Sequence, residues 1–138
     1  MLMFRSLSFG LFLVFVLAAC TTTTRKMKSP VFAVPLDSVA QGVYKQVVSQ
    51  HVNVDGWEQT TNGKVSDLLE IQIFNGRQLP VADTQLKTLG QSIAVGVRSA
   101  LKDTGEYDPY RVLFIKVDSG SVVTKKSWRA FIYKAAEL

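Results

Sequence analysis

Residues 60–74 read Thr60-Thr61-Asn62-Gly63-Lys64-Val65-Ser66-Asp67-Leu68-Leu69-Glu70-Ile71-Gln72-Ile73-Phe74, and the fold turns on them. Asn-Gly is the strongest short hairpin signal, because both central residues of a type I′ turn take positive φ. Beyond the turn, successive side chains of a strand point to opposite faces. Val65, Asp67, Leu69, Ile71 and Ile73 then share one face, and Ser66, Leu68, Glu70, Gln72 and Phe74 the other. The first is the better core face. Upstream, residues 51–58 (His51-Val52-Asn53-Val54-Asp55-Gly56-Trp57-Glu58) alternate loosely and supply the partner strand. Asn75-Gly76 and Pro80 close the pair.

Two helical periods flank this hairpin. Leu36, Val39, Ala40, Val43, Tyr44, Val47 and Val48 recur every three or four residues, the spacing of one helix face. Asp37 or Ser38 would cap that helix, with Gln41 completing a weak capping box. Its valines lower helix propensity, so it needs tertiary packing. Leu86, Leu89, Gly90, Ile93, Ala94, Val97, Ala100 and Leu101 form a second, clearer stripe. Asp83 is a good N-cap and Gly105 sits where a C-cap glycine belongs. Gly90 and Ala94 thin the stripe and predict close approach of a neighbour. Residues 111–117 follow as a strand, Asp118-Ser119-Gly120-Ser121 turns the chain, and 122–134 return as the last strand. Val31-Phe32-Ala33-Val34 is a short apolar run that suits an edge strand, stopped by Pro35.

The order is helix-strand-strand twice, at about residues 36–75 and 83–134, with no residue-level repeat. It predicts an α+β two-layer sandwich: a largely antiparallel sheet of about four strands with two helices on one face. The 138 residues suffice for one domain. One Cys leaves no internal disulfide and no multi-thiolate metal site, and one His leaves none of the common two- and three-histidine zinc sites. No cofactor is implied.

The first residues speak of location. Arg5 starts the chain weakly positive, and Leu7 to Ala19 is apolar except for Ser8 and Gly10. That is the length of a secretory h-region and short of a spanning helix. It ends in Leu17-Ala18-Ala19-Cys20, which resembles the lipobox of bacterial lipoprotein precursors. The resemblance covers the leader alone. It implies a diacylglyceryl group on the Cys20 sulfur, cleavage after Ala19, and usually an acyl chain on the new amino group. Two or three such chains hold a protein at a membrane almost permanently. In the enteric sorting pattern, Asp after the lipidated Cys retains a lipoprotein in the inner membrane. Thr21 here resembles outer-membrane-sorted members, facing the periplasm. The expected organisation is a signal peptide over 1–19, a lipidated Cys and flexible polar tether over 20–30, and a single domain over 31–138. Without Arg5, 15 Lys+Arg remain against 11 Asp+Glu. Arg25, Lys26 and Lys28 suit either anionic headgroups or plain solvation of the tether.

Catalytic signals are thin. A nucleophilic triad would need His51 as base, and no G-x-S-x-G spacing accompanies it; a helix-end or turn histidine is the simpler reading. Asp103, Glu106 and Asp108 cluster after the second helix but do not match an EF-hand loop. Asn62-Gly63-Lys64 lacks a surrounding P-loop pattern. Lys125, Lys126, Arg129 and Lys134 make the last hairpin basic, which suits protection of an edge strand. An acidic partner, headgroup or glycan phosphate is the other reading; an exported lipoprotein rarely meets nucleic acid, so none is expected as a partner.

The last two strands carry large apolar groups on both faces. Leu113, Ile115 and Val117 oppose Val112, Phe114 and Lys116; Trp128, Ala130, Ile132 and Lys134 oppose Arg129, Phe131 and Tyr133. Two helices cover one face of such a sheet, so part of this set is expected to be exposed unless segment 31–34, the Trp57 hairpin or the loop at 75–82 covers it. Phe114, Lys116, Trp128, Arg129, Phe131 and Tyr133 are therefore the candidate partner surface. The expectation is a non-enzymatic, membrane-anchored adaptor or assembly accessory of the envelope, bound to the membrane through Cys20 and to an envelope protein. The alternative is a cell-wall glycan-binding protein or peptidoglycan-acting enzyme, with Trp57, Trp128 or Tyr133 stacking on sugars.

Overall fold

A computed structural model describes residues 21–120 and 122–138. The leader and Cys20 lie outside the described residues. The described residues form β1 (Thr23–Met27), α1 (Leu36–Gln46), β2 (His51–Thr61), β3 (Lys64–Phe74), α2 (Asp83–Ala100), β4 (Tyr110–Ser119), β5 (Thr124–Tyr133) and a closing 3₁₀ turn (Ala135–Glu137). The strands make one five-stranded sheet in the order β1-β2-β3-β4-β5. The α+β class and the two helices are as expected. The sheet has five strands where about four were expected, and it is mixed: β3 and β4 pair in parallel, the other three pairs antiparallel. Parallel neighbours need a crossover, and α2 supplies it.

The extra strand lies where a flexible tether was expected. Thr23–Met27 is polar and exposed throughout, so no periodicity announces it. It forms because β2 offers eleven residues of backbone. Thr23 pairs with Thr61 and Met27 with Trp57, and Arg25 Nε donates to Gln59 Oε1 at 3.0 Å. The next residue is clasped. The Lys28 amide donates to the Gly56 carbonyl at 2.9 Å, and the Tyr107 hydroxyl donates to the Lys28 carbonyl at 2.7 Å. Lys28 Nζ pairs with Asp67 at 2.7 Å, and that ion pair holds the ammonium pKa above its usual value. Gly56 makes the clasp sterically possible, since a Cβ there would lie 2.0 Å from the Lys28 carbonyl oxygen.

The Asn62-Gly63 hairpin is as read, with both residues at positive φ (51° and 77°). Residues 31–34 do not form a strand. Phe32 bridges to Leu101 and packs on the core from the helix side, so the open sheet face is not covered by this segment.

Cap expectations were displaced. Pro35 precedes α1, which ends at Gln46, and neither Asp37 nor Ser38 caps it by a side-chain hydrogen bond. Asp83 is the first residue of α2 after Ala82, and its carboxylate faces Arg129 instead. The helix ends at Ala100, with extended Leu101 as its C-cap. Gly105 belongs to the following turn, where its amide donates to Asp103 Oδ1.

Both helices pack on one sheet face. Leu69, Ile71 and Ile73 from β3 and Val112 and Phe114 from β4 are buried beneath Val39 and Val43 of α1 and Leu86, Ile93 and Val97 of α2. Val65, expected on the core face, follows the alternation but is exposed, because it lies at the hairpin end of the sheet. The thin point at Gly90 is filled as expected: a Cβ there would lie 2.4 Å from the Tyr133 hydroxyl oxygen, which donates to the Lys87 carbonyl at 2.6 Å.

Two outcomes follow from this packing. Gly90→Leu must displace Tyr133 and is expected to destabilise the domain by about 1–3 kcal/mol, whereas Gly42→Ala, with no atom within 4 Å of its Cβ, is expected to add about 0.5–1 kcal/mol. Urea unfolding of the two variants checks both signs. Burial pushes the Tyr107 and Tyr133 hydroxyls up to about 12. The folded state therefore holds protons that the unfolded chain releases near pH 10. Stability is fully present below that pH and falls as pH rises toward 12. Unfolding curves between pH 8 and pH 12, read beside tyrosinate absorbance, test this.

Candidate functional site

The six surface candidates separate once the faces are known. Register places Phe114 opposite Arg129 and Ile115 opposite Trp128, with Tyr133 opposite Tyr110. Phe114, Lys116, Arg129, Phe131 and Tyr133 therefore point to the helix side. Phe114 and Tyr133 are core residues, 4% and 1% exposed, and Phe114 meets half-buried Phe131 edge-on at 6.3 Å. These two do not form a contact surface. α2 lies above them, and Gly90 lets it come close enough to bury them.

The other members remain accessible. Lys116 is largely exposed, and its Nζ lies 3.9 Å from Asp118. Trp128 sits on the opposite face and is 63% exposed. Phe114, Lys116, Trp128 and Arg129 all line a groove of about 390 Å³ at the upper end of β4 and β5. Asn75, Gly76 and Leu79 from the β3–α2 loop form its other wall.

Asn75 builds that wall. Its φ of 52° lies in the left-handed region that Asn tolerates. Its amide donates to the Ile115 carbonyl at 2.8 Å, its Oδ1 accepts from the Val117 amide at 2.8 Å, and its Nδ2 donates to Gln50 Oε1 at 2.6 Å. Arg129 is the opposing clasp. Its guanidinium donates to the carbonyls of Pro80 and Val81 at 3.2 and 3.1 Å and approaches Asp83 at 3.3 Å. This cation is spent on holding the loop. Asn75 and Leu79 were missed as site residues, since nothing in a loop sequence marks which side chain reaches back to a strand.

The face of the sheet away from the helices carries a second set. His51, Phe74, Ile115 and Trp128 align across four strands at one level. His51 is the first residue of β2, not a helix end. It is exposed, hydrogen-bonds Asn53 Oδ1 at 2.7 Å and lies 5.9 Å from the Phe74 ring. Lys126 Nζ stands 6.0 Å over that ring. Two levels further on, Asp55, Glu70, Arg111 and Ile132 align. Glu70 is 5% exposed. It pairs with Arg111 and accepts from Gln72 Nε2 at 2.6 Å, so the buried carboxylate is neutralised. Ile132 is 61% exposed, on the same face as Trp128.

The remaining candidates disperse. Asp103 accepts from the Gly105 amide, Glu106 lies 3.8 Å from Lys28, and Asp108 accepts from the Ala135 amide. Among the described residues no group of three His, Cys, Asp or Glu side chains is placed to hold a metal. Trp57 and Trp128 share the open face but sit three strands and several residues apart, about 25 Å by strand geometry, so they do not bracket one sugar ring. No helix among the described residues is long and apolar enough to cross a membrane.

The two roles assigned here predict opposite outcomes for neighbouring residues. Arg129→Ala is expected to cost about 1–3 kcal/mol and to speed amide exchange over residues 76–82. Trp128→Ala, at an exposed site, is expected to stay within about 0.5 kcal/mol. Urea unfolding with hydrogen exchange reads both. Comparison with protein-family models, with curated proteins and with solved structures finds no match to this chain.

Proposed function

We propose that the chain is a bacterial envelope lipoprotein, held at the outer membrane by acyl groups on Cys20 and facing the periplasm, and that it is a non-enzymatic adaptor or assembly accessory. The lipobox Leu17-Ala18-Ala19-Cys20 supports the anchor. One observation carries the binding role: Trp128 and Ile132 are exposed together on β5, an edge strand, on the sheet face away from both helices. Exposed aromatic and aliphatic side chains beside charge are the composition of a protein contact rather than of a solvated surface. Lys126 shares that face beside Trp128, favouring a partner that brings carboxylates. Phe114 and Tyr133 take no part in it; Lys116 extends it into the groove.

Two experiments test the proposal. Cys20→Ser is expected to leave an unprocessed precursor and abolish acyl labelling, and normal processing would overturn the anchor. Mild-detergent purification of the full-length protein from its own envelope is expected to bring one stoichiometric protein partner. Trp128→Ala combined with Ile132→Ser should lose that partner while the fold persists. Recovery of cell-wall material alone, unaffected by those substitutions, would move the function to glycan binding.

A further inference from the structure

We propose that the β2–β3 hairpin end of the sheet is a docking surface for an anionic lipid bilayer, so that the domain stands upright and presents the β4–β5 groove at its far end. The inference rests on the lipoprotein reading. It comes from β1, which replaces most of the tether. The strand starts at Thr23, and the Thr22 carbonyl already accepts from the Asn62 amide at 3.2 Å. Only Thr21 and Thr22 separate Cys20 from the hairpin turn, a reach of about 7–10 Å. A ten-residue tether would let the domain tumble freely; two residues hold one particular end against the headgroups.

Charge at that end fits the bilayer. Arg25, Lys26 and Lys64 are exposed there, and residues 21–27 and 59–66 contain no Asp or Glu. The first carboxylates inward are Glu58, opposite Lys26, and its strand partner Asp67, with Glu106 and Asp108 of the α2–β4 loop beside Asp67 on the β4 side; the cations of β1 and the turn itself lie nearer the headgroups. Val65 adds an exposed apolar side chain beside Lys64. Cations close to an anionic headgroup plane are attracted to it and lose that attraction within a Debye length.

The strand directions set the height of everything else. From Thr61 to His51 the sheet rises ten residues, about 33 Å. Phe74 and Ile115 are level with His51, and β4 continues to Ser119, about 13 Å higher. The groove and Trp128 thus face away from the membrane.

The test places bimane on full-length, acylated protein reconstituted in phosphatidylcholine vesicles with and without phosphatidylglycerol. Val65→Cys reports the hairpin end and Val122→Cys the opposite tip; Thr61→Cys serves if Val65→Cys fails to fold. A headgroup spin-labelled lipid is expected to quench the label at 65 several-fold more than that at 122, and more strongly with phosphatidylglycerol present. Equal quenching, or stronger quenching at 122, on protein whose Cys20 acylation is intact would overturn the orientation and leave the lipoprotein reading standing. Quenching at 65 that ignores phosphatidylglycerol would overturn the role of the cations. Unacylated Cys20 would overturn both readings together.

Discussion

The parallel pairing of β3 with β4 governs this structure. It obliges the chain to return through α2 before the sheet can grow, which stations the longer helix over the sheet and buries Leu69, Ile71, Val112 and Phe114 beneath it. It also decides where the turns go. With β3 and β4 running the same way, the β2–β3 turn and the β4–β5 turn emerge at opposite ends. An antiparallel pair at this position would put both turns at one end. The molecule is polar along its strands for this reason, with a cationic turn at one end and a groove at the other.

The open face shows how a sheet uncovered by helices is kept from being a uniformly apolar surface. Its centre holds Arg111 and Gln72, both joined to Glu70. Leaving Glu70 without Arg111 would strand a buried charge, so the pair pins the register of the two parallel strands where they are least protected. Leu68 and Ile115 on this face are buried, and the large apolar groups of β5 left most exposed, Trp128 and Ile132, lie on the edge strand away from that centre. The lysines of β5 occupy the same edge and discourage pairing between copies of the chain, while β1, with Arg25 and Lys26, does so at the other edge.

Much of this was legible in the residues. Asn62-Gly63, the alternation through Ile73 and the stripe from Leu86 to Val97 are strong local signals, and the close approach at Gly90 was readable from a missing side chain. The parity within β4 and β5 was readable too, because Phe114 and Trp128 alternate with their neighbours as strands require. Which parity faces the helices was not readable. That depends on the crossover, a long-range choice with no local mark, and it is why Phe114 and Tyr133 joined a surface set although they belong to the core. β1 was hidden for another reason. Five polar residues carry no burial period, and what holds them is backbone pairing to β2 together with the Lys28 clasp, made by Gly56, Asp67 and Tyr107 from elsewhere in the chain.

That clasp has a mechanical consequence. β1 lies parallel to the long axis of the sheet, with its first residue at the turn end and Lys28 at the inner end. Tension delivered through the residues before Thr23, against a load held at the β4–β5 end, runs along the strands. It stresses the β1–β2 hydrogen bonds in shear, all at once, rather than peeling them one after another, and the Lys28–Asp67 pair and the Tyr107 hydrogen bond share the strain at the end of the ladder. A pull from the N-terminal side therefore meets the whole β1–β2 ladder before the first strand is shed.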